Sequence, residues 1–184
     1  MKRLLCLSLS LVPLFCSLAI TGCGFTPGFG SVNQITLAIY HPLCVDVVDA
    51  STASGAPVQV YACGTGKRSQ EWRLNPIDSN GGLNIVNVNS NMCMSVSDTP
   101  VTAPGQYVIQ ETCSASGTQP NQVWTMVKAP SQPGYRFVSA ASKQCLDLPY
   151  GAVASIDHLQ QYYCTDGDPA QGWSITQVGL GNIP

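Results

Sequence analysis

Gln70-Glu71-Trp72 recurs along the chain as Gln122-Val123-Trp124 and Gln171-Gly172-Trp173. These three segments contain the only tryptophans, which are separated by 52 and 49 residues. A period near 50 residues in a strand-rich sequence is typical of a fold built from copies of one unit. The spacing therefore predicts three homologous units. We place them at about residues 34–78, 79–128 and 129–178.

Six cysteines repeat with the same period. Each unit contains two of them, separated by 19, 20 and 19 residues, and Gln-x-Trp follows the second cysteine by seven to nine residues. Six cysteines allow fifteen pairings, but the repeat selects the one within each unit. The predicted disulfides are Cys44–Cys63, Cys93–Cys113 and Cys145–Cys164. Each would close a loop of about 20 residues and add roughly 3 kcal/mol of stability.

The alternative use of these cysteines is a zinc site. The sequence has no Cys-x-x-Cys and only two histidines, His41 and His158, so the composition favours disulfides. Disulfides in turn indicate an oxidising compartment. We therefore predict no metal ion and no cofactor.

The N-terminal segment has the composition of an export signal. Lys2 and Arg3 precede an apolar run, which ends at Ile20-Thr21-Gly22-Cys23 and resembles the bacterial lipobox. We predict a signal peptide over residues 1–22, a lipidated Cys23 at the head of a flexible tether (23–33), and an irregular tail (179–184). Glycine after the cysteine favours the outer membrane by resemblance to the bacterial sorting rule. Plain secretion, with Cys23 as an odd thiol, is the alternative.

The charge excludes one class of partner. The chain carries a formal charge of −2 over 184 residues, and without Lys2 and Arg3 it has six basic against ten acidic residues. No basic patch is visible, so we expect no nucleic-acid partner. The length allows one ordinary domain.

Each unit contains four strand-like runs separated by turn-rich pieces such as Asn80-Gly81-Gly82. The predicted runs are 35–39, 43–48, 58–61 and 71–74 in the first unit, 83–88, 92–96, 107–110 and 123–127 in the second, and 135–138, 145–148, 159–163 and 172–176 in the third. No run of ten or more residues has a 3.6-residue period, so the mature chain is predicted to be all-β, with three four-stranded units in pseudo-threefold symmetry. We interpret the Gln-x-Trp residues as structural: one indole per unit fills the core, and the glutamine bonds to backbone. These core residues are Gln70, Trp72, Gln122, Trp124, Gln171 and Trp173.

Taken together, the Cys-x-Asp-x opening, the Gln-x-aromatic before the second cysteine and the Gln-x-Trp resemble the ricin B-type lectin family, which has the β-trefoil fold. The resemblance covers about residues 34–178. It implies a shallow sugar pocket in each unit, where an Asp accepts hydrogen bonds from sugar hydroxyls and an aromatic ring stacks on the C–H face. The implied carbohydrate-binding residues are Asp46, Gln59 and Tyr61 in the first unit, and Asp147, Gln160 and Tyr162 in the third.

The second unit departs from this pattern. Ser95 stands in place of the Asp, and Ile109 and Glu111 replace the Gln and the ring, so we expect no functional pocket there. The Asn that often precedes Gln-x-Trp in the family is present only in this unit, as Asn121. The first and third units have Ser69 and Ala170 instead. An alternative role for Asp46 and Asp147 is to cap a turn at the end of a strand.

No catalytic constellation is visible, and the three repeats leave no room for a second domain, so we predict that the protein is not an enzyme. Two hypotheses about function remain. The first is a membrane-anchored lectin that binds galactose- or GalNAc-type glycans, in adhesion or as a toxin cell-binding subunit. Its arrangement is similar to that of cytolethal distending toxin binding subunits. The second is a structural β-trefoil that joins an envelope or secretion assembly and has vestigial pockets.

Overall fold

The computed structural model describes residues 30–39, 42–97, 101–115, 118–151 and 158–178. The predicted signal peptide, Cys23, most of the tether and the tail lie outside these residues. Among the described residues, no helix is both long and apolar enough to cross a membrane.

Twelve β-strands and no α-helix are present in the described residues, which confirms the all-β class. All twelve coincide with predicted runs, with ends shifted by three residues or fewer. The first unit contains β1 (Val32–Leu37), β2 (Leu43–Val47), β3 (Val58–Ala62) and β4 (Trp72–Pro76). The second contains β5 (Gly82–Asn87), β6 (Cys93–Val96), β7 (Val108–Glu111) and β8 (Trp124–Lys128). The third contains β9 (Tyr135–Ser139), β10 (Cys145–Asp147), β11 (Gln160–Tyr162) and β12 (Trp173–Gln177).

Six of these strands close into a barrel. The first and last strands of each unit pair around a ring in the order β12, β1, β4, β5, β8, β9 and back to β12. The two middle strands of each unit form a hairpin: β2 with β3, β6 with β7, and β10 with β11. Closure removes the free edges that an open sheet of this length would expose. This arrangement is the predicted β-trefoil.

The three tryptophans fill equivalent places in the core. Trp72, Trp124 and Trp173 are each 0% exposed. Their indole Nε1 atoms donate to the carbonyls of Val45, Met94 and Leu146 at 2.9, 3.0 and 3.1 Å. In every unit the acceptor is the residue after the first cysteine. The indole therefore contributes apolar area to the core and anchors the hairpin of its own unit.

The glutamine of each Gln-x-Trp ends a short 3-10 turn and is buried. Gln70 Oε1 accepts from the Gly64 amide at 2.9 Å, and its Nε2 donates to the Ala62 carbonyl at 3.0 Å. Gln122 and Gln171 make the same pair of bonds in their units. The side chain thus replaces the missing backbone partners of the loop after the second cysteine.

The three disulfides pair as predicted, within each unit. They join Cys44 to Cys63, Cys93 to Cys113 and Cys145 to Cys164, with Cα–Cα distances of 5.0, 5.0 and 5.1 Å. The first cysteine of every pair is buried. Each bond ties the start of a hairpin to its end.

Two buried glutamines connect successive units. Gln110 Nε2 donates to the carbonyls of Ser51 and Ala53, both at 2.9 Å. Gln161 Nε2 likewise donates to the carbonyls of Val101 and Ala103, at 2.7 and 2.8 Å. In both cases a hairpin holds the loop of the preceding unit against its own face, and this contact shapes the pockets described next.

Candidate functional site

The hairpin register brings the predicted binding residues together. Asp46 lies opposite Gln59, and Asp147 lies opposite Gln160. Tyr61 and Tyr162 follow these glutamines by two residues, so they lie on the same face of the hairpin. The first and third hairpins therefore each present an Asp, a Gln and a Tyr on one side.

Two cavities lie over these faces. Site 1, of about 400 Å³, is lined by Asp46, Gln59 and Tyr61, with Asp49, Ala50, Lys67, Arg68, Ser69 and Asn89. Site 3, of about 660 Å³, is lined by Asp147, Gln160 and Tyr162, with Gly105, Tyr107, Leu148, Pro149, Tyr150, Asp168 and Ala170. Each cavity has a buried carboxylate at its base and an exposed ring at its side.

The base of site 1 has two buried acceptor atoms with no protein partner. Gln70 Nε2 donates to Asp46 Oδ2 at 3.4 Å, whereas Asp46 Oδ1 and Gln59 Oε1 have no hydrogen bond. Asp46 is 6% exposed and Gln59 4%. Buried acceptors that lack donors are costly and uncommon.

The base of site 3 is more fully bonded. Gln160 Nε2 donates to Asp147 Oδ1 at 2.6 Å, and Gln171 Nε2 donates to Oδ2 at 3.0 Å. Burial raises the pKa of Asp147 above 3.8, the two glutamine amides oppose that shift, and the nearby Asp168 adds to it. The carboxylate is fixed in orientation, with the remaining lone pairs of its oxygens available to a ligand.

The aspartates do not cap turns. Both lie within strands, and in the described residues the bonds they accept come from glutamine amides. Asp78 shows the contrast, because its Oδ1 accepts from the backbone amides of Asn80 and Gly82 at 2.8 and 2.9 Å. The capping alternative is therefore wrong for Asp46 and Asp147.

Three exposed tyrosines surround site 3. Tyr162 is 44% exposed, Tyr107 56% and Tyr150 fully exposed. Tyr150 has a φ of 61°, a left-handed conformation that is uncommon for a bulky residue. Asp49 occupies the same place in site 1, three residues after the aspartate, with a φ of 54°. The two sites thus share backbone geometry but differ in the side chain held above the carboxylate.

Each hairpin also receives a residue from the preceding unit. Isolated β-bridges pair Gln59 with His158, Ile109 with Pro57, and Gln160 with Tyr107. The rings of Tyr107 and His158 also meet edge to face, with centroids 5.9 Å apart. No local sequence signal points to these neighbours, because the contact depends on how the units close on one another. His158 is exposed.

The second unit satisfies its own polar groups. Ser95 Oγ donates to Glu111 Oε2 at 2.7 Å, and Asn121 Nδ2 donates to Ser95 Oγ at 2.9 Å. Ser95 is fully buried and pairs with Ile109 in the register that Asp46 and Gln59 have in the first unit. The glutamate, which stands in the place of Tyr61, serves as the acceptor for both neighbours.

The prediction missed Lys67 and Asp168. Both residues follow the second cysteine of their unit by four positions, so alignment of the units on that cysteine would have identified them. Lys67 Nζ lies 5.1 Å from the centre of the Tyr61 ring. Asp168 Oδ1 accepts from the Ala170 amide at 2.9 Å.

Comparisons with known proteins agree with this architecture. The model of the ricin-type β-trefoil lectin domain matches residues 33–173. No curated protein sequence gives a match.

Among solved structures, the chain is similar to ThreeFoil, a designed threefold-symmetric protein, with 26% identity, a TM-score of 0.72, and coverage of 80% of this chain and 99% of that one. It is also similar to an exo-β-1,3-galactanase from Clostridium thermocellum, with 23% identity and a TM-score of 0.70, over 83% of this chain but only 31% of the enzyme. A third similar structure is the Macrolepiota procera ricin B-like lectin in complex with lactose, with 16% identity, a TM-score of 0.65, and coverage of 83% and 99%.

The family match spans most of the chain, and its limits enclose the three hairpin disulfides and the three buried tryptophans. The chain belongs to the ricin-type β-trefoil lectin domain family.

Proposed function

We propose that the protein binds galactose- or GalNAc-type glycans without enzymatic action, through site 1 and site 3. The observation that carries this proposal is the same in both: a buried, oriented aspartate at the base of a cavity that also exposes a tyrosine ring. Asp46 and Asp147 are the acceptors, and Gln59 and Gln160 are polar neighbours. Tyr61 and Tyr162 are the stacking rings.

The chemistry of a saccharide matches such a site. An ionised carboxylate accepts hydrogen bonds from two adjacent hydroxyls, and such charge-assisted bonds are stronger than neutral ones. The tyrosine covers the apolar C–H face of the ring. One shallow pocket of this kind binds weakly, but two pockets on one rigid body increase the avidity for a multivalent glycan.

Two similar structures support the galactoside class. One acts on β-1,3-galactan and the other was solved with lactose, which is a galactoside. Both identities are below 25%, so the structures support the class of ligand only through the shared fold.

The bonding of the carboxylates supports binding rather than hydrolysis. A glycosidase needs two carboxyl groups that act on opposite sides of the scissile bond. In site 3, both Asp147 oxygens accept glutamine amides, and Asp168 is bonded to the Ala170 amide. The similarity to the galactanase covers less than a third of that enzyme.

We further propose that the protein is exported and lipid-anchored at Cys23, in the outer membrane of a bacterial envelope, with plain secretion as the alternative. The three disulfides support an oxidising compartment. Metabolic labelling with palmitate tests the anchor: label on the wild-type chain that disappears in Cys23→Ala supports it, and an unlabelled wild-type chain contradicts it.

In this setting the lectin would serve adhesion or act as the cell-binding subunit of a toxin. One observation favours the alternative of a structural module in an envelope or secretion assembly. The second hairpin is closed by its own Ser95–Glu111–Asn121 network, so one of three pockets has lost the sugar-binding pattern.

A glycan array with the purified protein presented multivalently tests the lectin proposal. We expect binding to galactosides that disappears in Asp46→Ala plus Asp147→Ala. Ser95→Ala is the matched control, because it alters the equivalent position of the second unit, and it should leave binding unchanged. Silence of the wild-type protein toward every glycan would favour the structural module.

A further inference from the structure

Lys67 and Asp168 occupy one position of the repeat with opposite charges. Each residue immediately precedes the 3-10 turn that leads to Gln-x-Trp, and each lines the cavity of its own unit. The turn holds its glutamine in the same way in both units. The charge inversion is therefore a difference at a matched place in two otherwise similar sites.

Lys67 lies against its own unit. Its stem passes over Gly64, where a Cβ atom would lie 2.6 Å from Lys67 Cε and 2.7 Å from its Cδ. The ammonium then lies 5.1 Å from the centre of the Tyr61 ring, an attractive cation–π arrangement. The third unit has Thr165 at the place of Gly64.

Asp168 is also fixed. Its Oδ1 accepts from the Ala170 amide at 2.9 Å. Arg136, which is buried, anchors the loop before it through Asp166 Oδ1 at 2.9 Å and through the Thr165 carbonyl. The carboxylate is thereby held at the wall of site 3.

The charges that line the two sites differ as a result. Lys67 and Arg68 balance Asp46 and Asp49 in site 1. Among the described residues that line site 3, Asp147 and Asp168 are the charged side chains and none is basic. Arg68 is exposed, and one of its guanidinium nitrogens donates to the Val88 carbonyl at 3.1 Å, which leaves other donors for a ligand.

We propose that the two sites select different saccharides: site 1 takes a sugar that carries a carboxylate or sulfate, bound by the Lys67 ammonium, and site 3 takes uncharged sugars. In site 1, Asp46 and Gln59, which line the cavity, bind the hydroxyls, and the anionic substituent lies toward Lys67. In site 3, a sugar with an anionic group meets Asp168 at the same place. This inference rests on the proposed lectin function, because it assigns a ligand class to each of its sites.

The test isolates one site at a time. In a protein with Asp147→Ala, only site 1 remains, and NMR titrations compare lactose with lactose 6′-sulfate, which keeps the vicinal galactose hydroxyls, at 50 mM salt. We expect a several-fold preference for the sulfated sugar, as for an exposed ion pair. The Lys67→Asp variant should prefer unsulfated lactose instead. The ratio of the two affinities should change by about tenfold, because an attractive charge is replaced by a repulsive one. Raising the salt to 0.5 M should reduce the preference.

The reciprocal variant addresses site 3. In a protein with Asp46→Ala, we expect lactose to bind better than lactose 6′-sulfate, and Asp168→Lys should remove or reverse that order. Lys128→Asp is the matched control, since Lys128 is an exposed lysine at the end of β8 outside both cavities. It should leave both preferences unchanged.

Different results would contradict the charge selection and the lectin function. Equal binding of lactose and its sulfate in both isolated-site proteins, unaffected by Lys67→Asp and Asp168→Lys, would overturn the charge selection and leave the lectin function intact. The same holds if Lys128→Asp changes the preferences as much as Lys67→Asp. Absence of binding to neutral and acidic glycans alike, including galacturonosides and sialyllactose, would overturn the lectin function itself.

Discussion

Gln171 donates to Asp147 through the same amide nitrogen that holds the carbonyl of Tyr163. The two distances are 3.0 and 2.8 Å. One side chain therefore fixes both the loop after the disulfide and the carboxylate at the base of site 3. Gln122 makes the equivalent backbone bonds, at 2.9 and 3.0 Å, in a unit that has Ser95 in place of the binding aspartate. The two glutamines share a structural role, and Gln171 has an additional role in orienting the binding residue.

Substitution of Gln171 and Gln122 should have similar effects on stability but different effects on sugar binding. Gln171→Ala and Gln122→Ala should each lower the free energy of unfolding by roughly 1 to 2 kcal/mol, because both remove the hydrogen bonds of a part-buried carbonyl and amide. Only Gln171→Ala should also weaken sugar binding at site 3. Urea unfolding and lactose titration of the folded variants measure the two effects. Equal loss of binding in both variants would contradict the orienting role.

The second unit should regain a site when its three departures are reversed. Ser95→Asp, Ile109→Gln and Glu111→Tyr restore the pattern of the other hairpins, and Asn121 Nδ2 already points at position 95 from 2.9 Å. We expect native mass spectrometry to show three bound sugars per chain instead of two. The single variant Glu111→Tyr serves as the control and should add none. A triple variant that folds and still binds two sugars would show that the hairpin pattern is insufficient.

Acidification should affect site 3 in two opposite ways. Burial raises the pKa of Asp147 above 3.8, so between the unfolded and folded pKa values the folded protein binds more protons than the unfolded one. The contribution of this group to the free energy of unfolding therefore increases as the pH falls through that window. Sugar affinity should fall over the same window, because the ligand needs the ionised form. Carboxyl NMR titration with and without lactose in the Asp46→Ala protein checks both signs, and an affinity independent of pH would contradict the role of Asp147.

Tyr107 and His158 should act on different sites, although their rings touch. Tyr107→Ala is expected to weaken site 3 by a few-fold, since the ring lines that cavity from the second unit. His158→Ala should weaken sugar binding at site 3 less than Tyr107→Ala does, because the backbone of His158 pairs with Gln59 of site 1. Titrations in the isolated-site proteins distinguish the two. An equal loss at both sites in either variant would show that the ring contact couples them.

Gly134 shows how closely the barrel strands approach. It has a φ of 85°, and a Cβ atom would lie 2.4 Å from the Trp173 carbonyl oxygen. Gly81 has a φ of 86° with open space around it. We expect Gly81→Ala to cost about 1 kcal/mol for the left-handed backbone alone. Gly134→Ala should cost about 3 kcal/mol or more, because overlap adds to that strain. Thermal unfolding of both variants gives the comparison, and equal losses would contradict the steric argument.

Local signals in the sequence predicted most of the fold. The cysteine and tryptophan periods selected the disulfide pairing, and the apolar runs located all twelve strands to within three residues. Strand ends were less accurate: β1 begins at Val32 rather than Ile35, because its pairing with β4 and β12 extends it beyond the apolar run. The 3-10 turns before each tryptophan were not predicted, since three residues carry no period.

The candidate site was predictable only in part. Asp46, Asp147 and their hairpin partners follow from the repeat, because strand register places them together. Tyr107 enters site 3 from another unit, and its contribution depends on barrel closure rather than on neighbouring residues. The bonding of Asp147 by two glutamines, against a single long bond at Asp46, also depends on side-chain geometry that the sequence does not show.

The bridges between successive units give the ring a direction. Pro57 bridges to the second unit, Tyr107 to the third and His158 to the first, so each hairpin pairs with the unit that precedes it around the ring. In site 3, Tyr107 also lines the cavity. A fragment that contained the third unit alone would keep Asp147, Gln160 and Tyr162 yet lack one wall of its cavity. A circularly permuted chain beginning at residue 79 would retain all three bridges. The smallest piece that can carry a finished site 3 is therefore a pair of neighbouring units, with the second in front of the third.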